Sequence, residues 1–157
     1  MENANERTER ALRAYLGLIR AADSVTALIE MQLETRGLTL SQGRVLEALM
    51  EFGPMSQLKL ARKILRSKSA IVFVVRELER RRLVKSRMNK RDRRTRVVGV
   101  TLKGHKLAAE VLPVHTRLIR AQMATLGGRE QETLARLCEK LIAGDSAKFA
   151  GEFVRVS

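Results

Sequence analysis

The sequence has no tryptophan, a single cysteine and two prolines, and aromatic residues fill only 3% of its 157 positions. So few aromatics leave no platform on which successive bases of a single nucleic-acid strand would stack. One cysteine, Cys138, excludes an internal disulfide and cannot build a cysteine-based zinc site. No apolar run approaches the roughly 18 residues of a membrane span. The polar opening Met1-Glu2-Asn3-Ala4-Asn5-Glu6-Arg7 has no signal-peptide core. No nucleophile–base pair, glycine-rich phosphate loop or paired-carboxylate pattern stands out. His105 and His115 lie ten apart, without carboxylates at a ligand spacing. The expectation is a soluble protein of a reducing cytoplasm, without membrane contact or cofactor, and not an enzyme.

What the sequence does have is localised positive charge. The formal net charge is +14, and the 47 residues from Leu60 to Lys106 carry all of it: 17 Lys and Arg against Glu77, Glu79 and Asp92. The rest of the chain is neutral in sum. Charge needed only for solubility would be spread; concentrated charge makes a local field suited to a polyanion. The blander alternative is a solvated basic face with no partner. Apolar residues, at 45%, suffice for a core, and the length fits one domain, or one small domain with an oligomerisation element.

Apolar residues recur at helical spacing from about Thr8 to Leu33, through Leu12, Leu16, Ile19, Val25, Leu28, Ile29 and Met31. Gly37 ends this first helix. A second, capped near Ser41, carries Val45, Leu46, Leu49 and Met50, and Gly53-Pro54 breaks the chain. Ser56 suits the N-cap of a short helix, Gln57 to Ile64, with Leu58, Leu60 and Ala61 inward. After a tight turn at Leu65-Arg66, Ser67 or Ser69 caps a third helix running to about Arg81. Two short helices joined by a few residues, the second carrying charge, form the pattern of a helix-turn-helix.

Beyond Leu83 the pattern changes to two strands, Val84 to Met88 and Thr95 to Val100, around a turn at Asn89-Lys90-Arg91-Asp92. Arg93 and Arg94 enter the second strand. This is a basic hairpin, a wing. Thr101 caps a long helix to about Leu126, which Pro113 should kink. Gly127-Gly128 precedes a last helix with Leu134, Leu137, Cys138, Leu141 and Ile142 apolar.

Five segments in this order carry a family pattern: Leu38-Thr39-Leu40-Ser41-Gln42; Met55-Ser56-Gln57-Leu58-Lys59-Leu60-Ala61; Ser67-Lys68-Ser69-Ala70-Ile71; Leu78-Glu79, two residues, then Arg82-Leu83-Val84; and Asp92-Arg93-Arg94-Thr95-Arg96-Val97-Val98-Gly99-Val100-Thr101, two residues, then Gly104. The chain resembles, over nearly its whole length, the MarR family of bacterial winged-helix transcription regulators. The resemblance implies a mostly α fold: a winged helix-turn-helix over 37–104, with long dimerisation helices at 1–36 and 105–157. It implies a homodimer with two winged helices in successive major grooves of a pseudo-palindrome. It also implies a small aromatic or anionic effector between the dimer helices and the reading head. The apolar residues on more than one face of the outer helices fit a dimer.

On a helical wheel, Ile71, Val74, Val75 and Leu78 form an apolar stripe, and Lys68, Ser69, Val72, Phe73 and Arg76 lie to the other side. In this motif the N-terminal half of the helix reaches base edges. Ser67, Ser69 and the free N–H groups of the helix start suit a phosphate; Lys68 and Arg76 suit phosphate or guanine. Val72 and Phe73 depart from the family, which has polar or basic residues there. Two readings are open: Phe73 folds back onto the wing or the preceding helix, or Val72 and Phe73 meet thymine methyl groups in a T-bearing half-site.

Lys90, Arg91, Arg93 and Arg94 at the wing tip fit a narrow minor groove. By family resemblance Arg94 inserts and Asp92 positions it, although Asp92 serves equally well as a turn residue. Lys85, Arg87 and Arg96 on the strands fit phosphates. Arg82 replaces the glycine that ends the family's recognition helix, so the helix should end differently or run on. Arg80-Arg81-Arg82 reads as a phosphate clamp or as a solvated helix end. Family geometry points to Arg20 and His115 for an anionic ligand, against surface or structural roles for both. Cys138 reads as a buried structural residue. The resulting expectation is a sequence-specific, ligand-responsive dimeric repressor. The alternatives are a non-specific architectural or RNA-binding winged helix, or a ligand sensor that does not bind DNA.

Overall fold

The computed structural model describes residues 3–89 and 95–152. They fall into two compact units, Met1–Ile119 and Arg120–Ser157. The expected mostly helical winged fold is what is seen. Helix α1 spans Ala4–Glu34 and begins earlier than apolar spacing indicates, because polar chemistry sets its start. The Asn3 side chain accepts from the Glu6 N–H at 2.8 Å, and the Glu6 carboxylate accepts from the Asn3 N–H at 3.1 Å. Its end is closed by Gly37, at φ +65°, with the Leu38 N–H donating to the Leu33 carbonyl at 3.0 Å.

Helix α2, Leu40–Phe52, is capped by Thr39 and not near Ser41. Thr39 and Gln42 exchange side-chain-to-backbone bonds at 3.2 and 3.1 Å, and no equivalent partner stands three residues after Ser41. Strand β1, Met55–Ser56, leads directly into α3, Gln57–Lys63, capped by Ser56 as expected. Leu60 and Ala61 point inward, but Leu58 does not: it is 46% exposed. Helix α4, Lys68–Arg80, is capped by Ser67, whose hydroxyl accepts from the Ala70 N–H at 3.2 Å.

The wing strands are β2, Val84–Met88, and β3, Arg96–Val100. They pair antiparallel with Val84 opposite Val100 and Met88 opposite Arg96. The sheet has a third member, which sequence patterning missed: β1 pairs with β3, placing Met55 opposite Val98. Two residues hold no periodicity to recognise. Their effect is to make β3 central, so the wing is anchored on one side to the root of the helix-turn-helix.

Helix α5 spans Leu102–Met123 as one continuous helical stretch that includes Pro113. In the second unit, α6 spans Gly128–Glu152, and the Glu130 carboxylate accepts from the Gly127 N–H at 2.7 Å.

The core of the first unit gathers Leu33, Val45, Leu46, Leu60, Ile71, Val75, Leu78, Leu83, Val84, Val98 and Val111. The α4 stripe read from the wheel is therefore real, with Val74 at its partly buried edge. The end of α4 corrects a specific expectation. Arg82 adopts the left-handed conformation, φ +60°, that favours glycine. Its N–H bonds the Glu79 carbonyl at 2.8 Å, and the Leu83 N–H bonds the Leu78 carbonyl at 2.9 Å. That is a complete Schellman closure with arginine in the glycine position.

The surroundings impose the turn. Thr101 Oγ1 donates to the Arg82 carbonyl at 2.7 Å, Lys103 Nζ donates to the Arg81 carbonyl at 3.0 Å, and Leu83 is 1% exposed in the core. A steric cost of roughly 1–2 kcal/mol at Arg82 is the smaller term against burying Leu83 and closing these bonds. Helix α5 approaches the same turn so closely that a Cβ on Gly104 would lie 2.0 Å from the Leu83 carbonyl oxygen.

Candidate nucleic-acid interface

Helix α4 presents two unlike faces because its apolar residues follow helical spacing only on one side. Ile71, Val75 and Leu78 are buried. Ser67, Lys68, Ser69, Phe73 and Arg76 are exposed, and Val72 is half-buried. The structure thus brings the expected α4 residues onto one surface. Phe73 is 66% exposed, which removes the reading in which it folds back onto the wing or α3. The Ser67 and Ser69 hydroxyls lie 3.1 Å apart, with Ser67 committed to the cap.

The carboxylates of α4 are kept from this surface. Glu77 pairs with Arg80 at 2.6 Å. Glu79 turns toward the wing, accepting from the Ser86 N–H at 2.9 Å and from its hydroxyl at 2.5 Å. The N-terminal half of the helix is therefore free of negative charge, and the wing is tied to the helix that it extends. Charge-assisted bonds of this kind are among the stronger ones in a fold.

On the wing, Lys85 and Arg87 alternate along β2 and share a face with their partners Gly99 and Val97. Arg96 pairs with Met88 and belongs to the opposite face, the one that carries Ser86 and hence looks toward α4. The three strand cations expected to act together thus divide into two sets, because β-pairing alternates faces. All three are exposed. Lys90, Arg91, Asp92, Arg93 and Arg94 lie outside the described residues. Sequence reasoning passed over Arg62 and Arg66, exposed cations at the end of α3 and in the turn before α4. Their signal was their place in the basic segment, on the turn side of the motif.

Arg81 is neither a phosphate clamp nor a solvated helix end. Its guanidinium donates to the Gly37 carbonyl at 2.5 Å, to the Arg36 carbonyl at 3.4 Å and to Gln42 Oε1 at 3.5 Å. It is a staple between the end of α4 and the turn joining α1 to α2. The residues suggested for a ligand stand in different environments. Arg20 is exposed on α1, whereas His115 on α5 is 4% exposed. Its Nδ1 has no hydrogen-bond partner, and the same holds for the buried Oε1 of Gln32. Cys138, expected to be buried, is half-exposed on α6 beside Leu134, Leu137, Leu141 and Ile142, all exposed.

A helix-turn-helix followed by a cationic two-stranded wing defines a winged-helix DNA-binding protein. The family model described as "MarR family" matches residues 38–95. Over that segment the chain is similar to a family whose members are transcriptional regulators and not enzymes. It is 27% identical over 134 residues to the HTH-type transcriptional regulator MhqR of Bacillus subtilis, covering 85% of this chain and 92% of that protein. It is 29% identical over 128 residues to the HTH-type transcriptional repressor NicR of Pseudomonas putida, covering 82% of this chain and 81% of NicR. Bordetella bronchiseptica BpsR, whose DNA binding is regulated by 6-hydroxynicotinic acid, superposes with a TM-score of 0.73 at 23% identity, over 82% of this chain and 98% of that one. Among the described residues no helix is long and apolar enough to cross a membrane.

Proposed function

We propose that this regulator is a homodimeric, ligand-responsive repressor that binds a pseudo-palindromic operator in duplex DNA. Ser67, Lys68, Ser69, Val72, Phe73 and Arg76 face the major groove. Lys85, Arg87 and Arg96 hold the backbone, and the wing tip, Lys90 to Arg94, reaches the adjacent minor groove with Arg94 as its inserting residue. The observation that carries this reading is the acid-free, cationic surface of α4, from which Glu77 and Glu79 are withdrawn. Such a surface favours a polyanion at any sequence through counterion release, and base-edge contacts add preference.

Dimerisation through 1–36 and 105–157 is supported by α1. Every residue from Ala4 to Ser24 is exposed, including Leu12, Tyr15, Leu16 and Ile19. Helices in proteins owe most of their stability to a packed apolar face, so this face calls for a partner. A second copy supplies one by symmetry. Ligand response is supported by the buried, unpartnered Nδ1 of His115, since a buried polar atom costs about 1–3 kcal/mol unless something bonds it. It is supported also by the likeness to BpsR, and repression by the likeness to NicR.

The test is footprinting on the DNA flanking the gene, with a salt titration against random duplex and Arg94→Ala as the control. The proposal expects protection of two half-sites about one or two helical turns apart. It also expects specific binding at least about 10³-fold tighter than non-specific binding at physiological salt, and a loss of roughly 1–3 kcal/mol for Arg94→Ala. Equal affinity for flanking and random DNA would instead favour an architectural role. Adding 6-hydroxynicotinic acid tests for an aromatic acid effector by release of the protected DNA.

A further inference from the structure

Phe73 is an anomaly on the surface that carries it. It lies one turn after Ser69 and one turn before Arg76, on the exposed strip of α4, and two-thirds of its surface meets solvent. Val72, beside it, is half-buried, and Lys68 and Arg76 flank the pair with cations. The acid nearest along the helix, Glu77, is drawn to Arg80. The charges around the phenyl ring therefore match a polyanion, while the ring itself matches nothing polar.

Duplex DNA offers one apolar group in its major groove, the methyl on C5 of thymine. A cytosine methylated at C5 presents the same group from the same ring position. We propose that Phe73 reads the pyrimidine C5 methyl group, so that operator affinity depends on the methyl whichever pyrimidine bears it. This rests on the winged-helix reading of α4 above. It adds to that reading a specificity determinant and a consequence: cytosine methylation at the contacted position strengthens binding.

The experiment begins with duplexes selected by the full-length protein from a random pool. In the selected sequence each thymine is replaced in turn by deoxyuridine. One position in each half-site is then rebuilt as C·G and as 5-methylcytosine·G. At the contacted position, loss of the methyl should weaken binding about fourfold per half-site, the worth of one buried methyl group. The 5-methylcytosine duplex should bind about fourfold tighter than its unmethylated counterpart. In Phe73→Ala the thymine-to-uracil ratio should fall to about one at that position alone, and in Phe73→Leu it should stay above one. The ring is solvent-exposed, so neither variant disturbs the core, and circular dichroism verifies this.

A selected sequence indifferent to uracil at every position overturns the methyl reading and leaves the regulator reading standing. So does a Phe73→Ala variant that keeps the wild-type ratio. A pool from which no sequence is enriched overturns both.

Discussion

Arg81 donates to the main-chain carbonyl of Gly37 across 44 residues of sequence, at 2.5 Å. The bond joins the closing turn of α4 to the closing turn of α1. Two further acceptors, the Arg36 carbonyl and Gln42 Oε1, fill the fork. Truncation to alanine should strip these acceptors of a charged donor, and the site is only half-buried. A loss of about 1–2 kcal/mol of unfolding free energy is expected, at the lower end of charged hydrogen bonds. Lysine should recover less than half, because a point charge cannot span three acceptors. Urea denaturation of the two variants measures this, and an alanine variant as stable as the parent would refute the staple.

The turn one residue further on gives the opposite sign. Arg82 sits at φ +60°, where an L side chain costs roughly 1–2 kcal/mol. Glycine removes that cost but loosens the unfolded chain by about 0.4–1 kcal/mol. The Arg82→Gly variant should therefore be more stable by on the order of 0.5–1 kcal/mol, read as a higher thermal midpoint. Leu65, at φ +51°, offers a second site of the same kind.

Much of this architecture was legible in the sequence, for reasons that particular residues show. Ile71, Val75 and Leu78 repeat at helical spacing, and Ser56 and Ser67 stand before their helices as hydroxyl caps. Local chemistry decided those elements, and local chemistry is what a sequence displays. The strand β1 was not legible, since Met55 and Ser56 become a strand only by meeting Val98 and Val97. Nor was the conformation of Arg82, which runs against its residue type and is imposed by Thr101, Lys103 and the burial of Leu83. Arg81 was misjudged because composition reports charge, while its acceptors on Arg36 and Gly37 come from tertiary contact. The polar residues exposed on α4 followed from the wheel. The exposure of Phe73 did not, because an apolar run of six residues has more than one way to turn.

Gly104 follows from the same packing. A methyl group there would meet the Leu83 carbonyl oxygen at 2.0 Å and Val100 Cγ1 at 2.7 Å. Neither neighbour is a flexible tip: one is backbone held by Thr101, the other a strand residue facing the core. Gly104→Ala should cost at least about 3 kcal/mol, at or above the upper range for overpacking. The expected observation is a sharply lowered denaturation midpoint, with the wing detached from α5. A variant within 1 kcal/mol of the parent would mean that the two elements separate easily.

Cations that touch phosphate should be separable from those that hold the fold. Lys85 and Arg87 share the outer face of the wing, and Lys68 opens α4. Alanine at any of the three should weaken binding to all duplexes by a similar factor. It should also reduce the slope of log affinity against log salt by about one. Arg81→Ala should leave that slope unchanged, since its guanidinium is engaged within the protein. If the slopes of Lys85→Ala and Arg87→Ala match the parent, the outer face of the wing is not on the DNA.

The exposed stripe on α1 predicts what a charge placed there would do. Leu12, Leu16 and Ile19 are 55%, 46% and 42% exposed in the single chain. In a two-fold assembly each substitution is present twice. Leu16→Glu with Ile19→Glu removes about 1.5–3 kcal/mol of apolar burial per fully covered side chain, so the dimer proposed above should weaken by well over 100-fold. Sedimentation equilibrium reads the mass directly. A second signal separates dissociation from misfolding. With no packed face, the first half of α1 is a marginal helix in water. The far-ultraviolet ellipticity should therefore fall by the share of that segment, while the cooperative unfolding of the winged-helix core persists. A double variant that stays dimeric with full ellipticity would show that subunits meet elsewhere. Two half-site binding would then need another geometry.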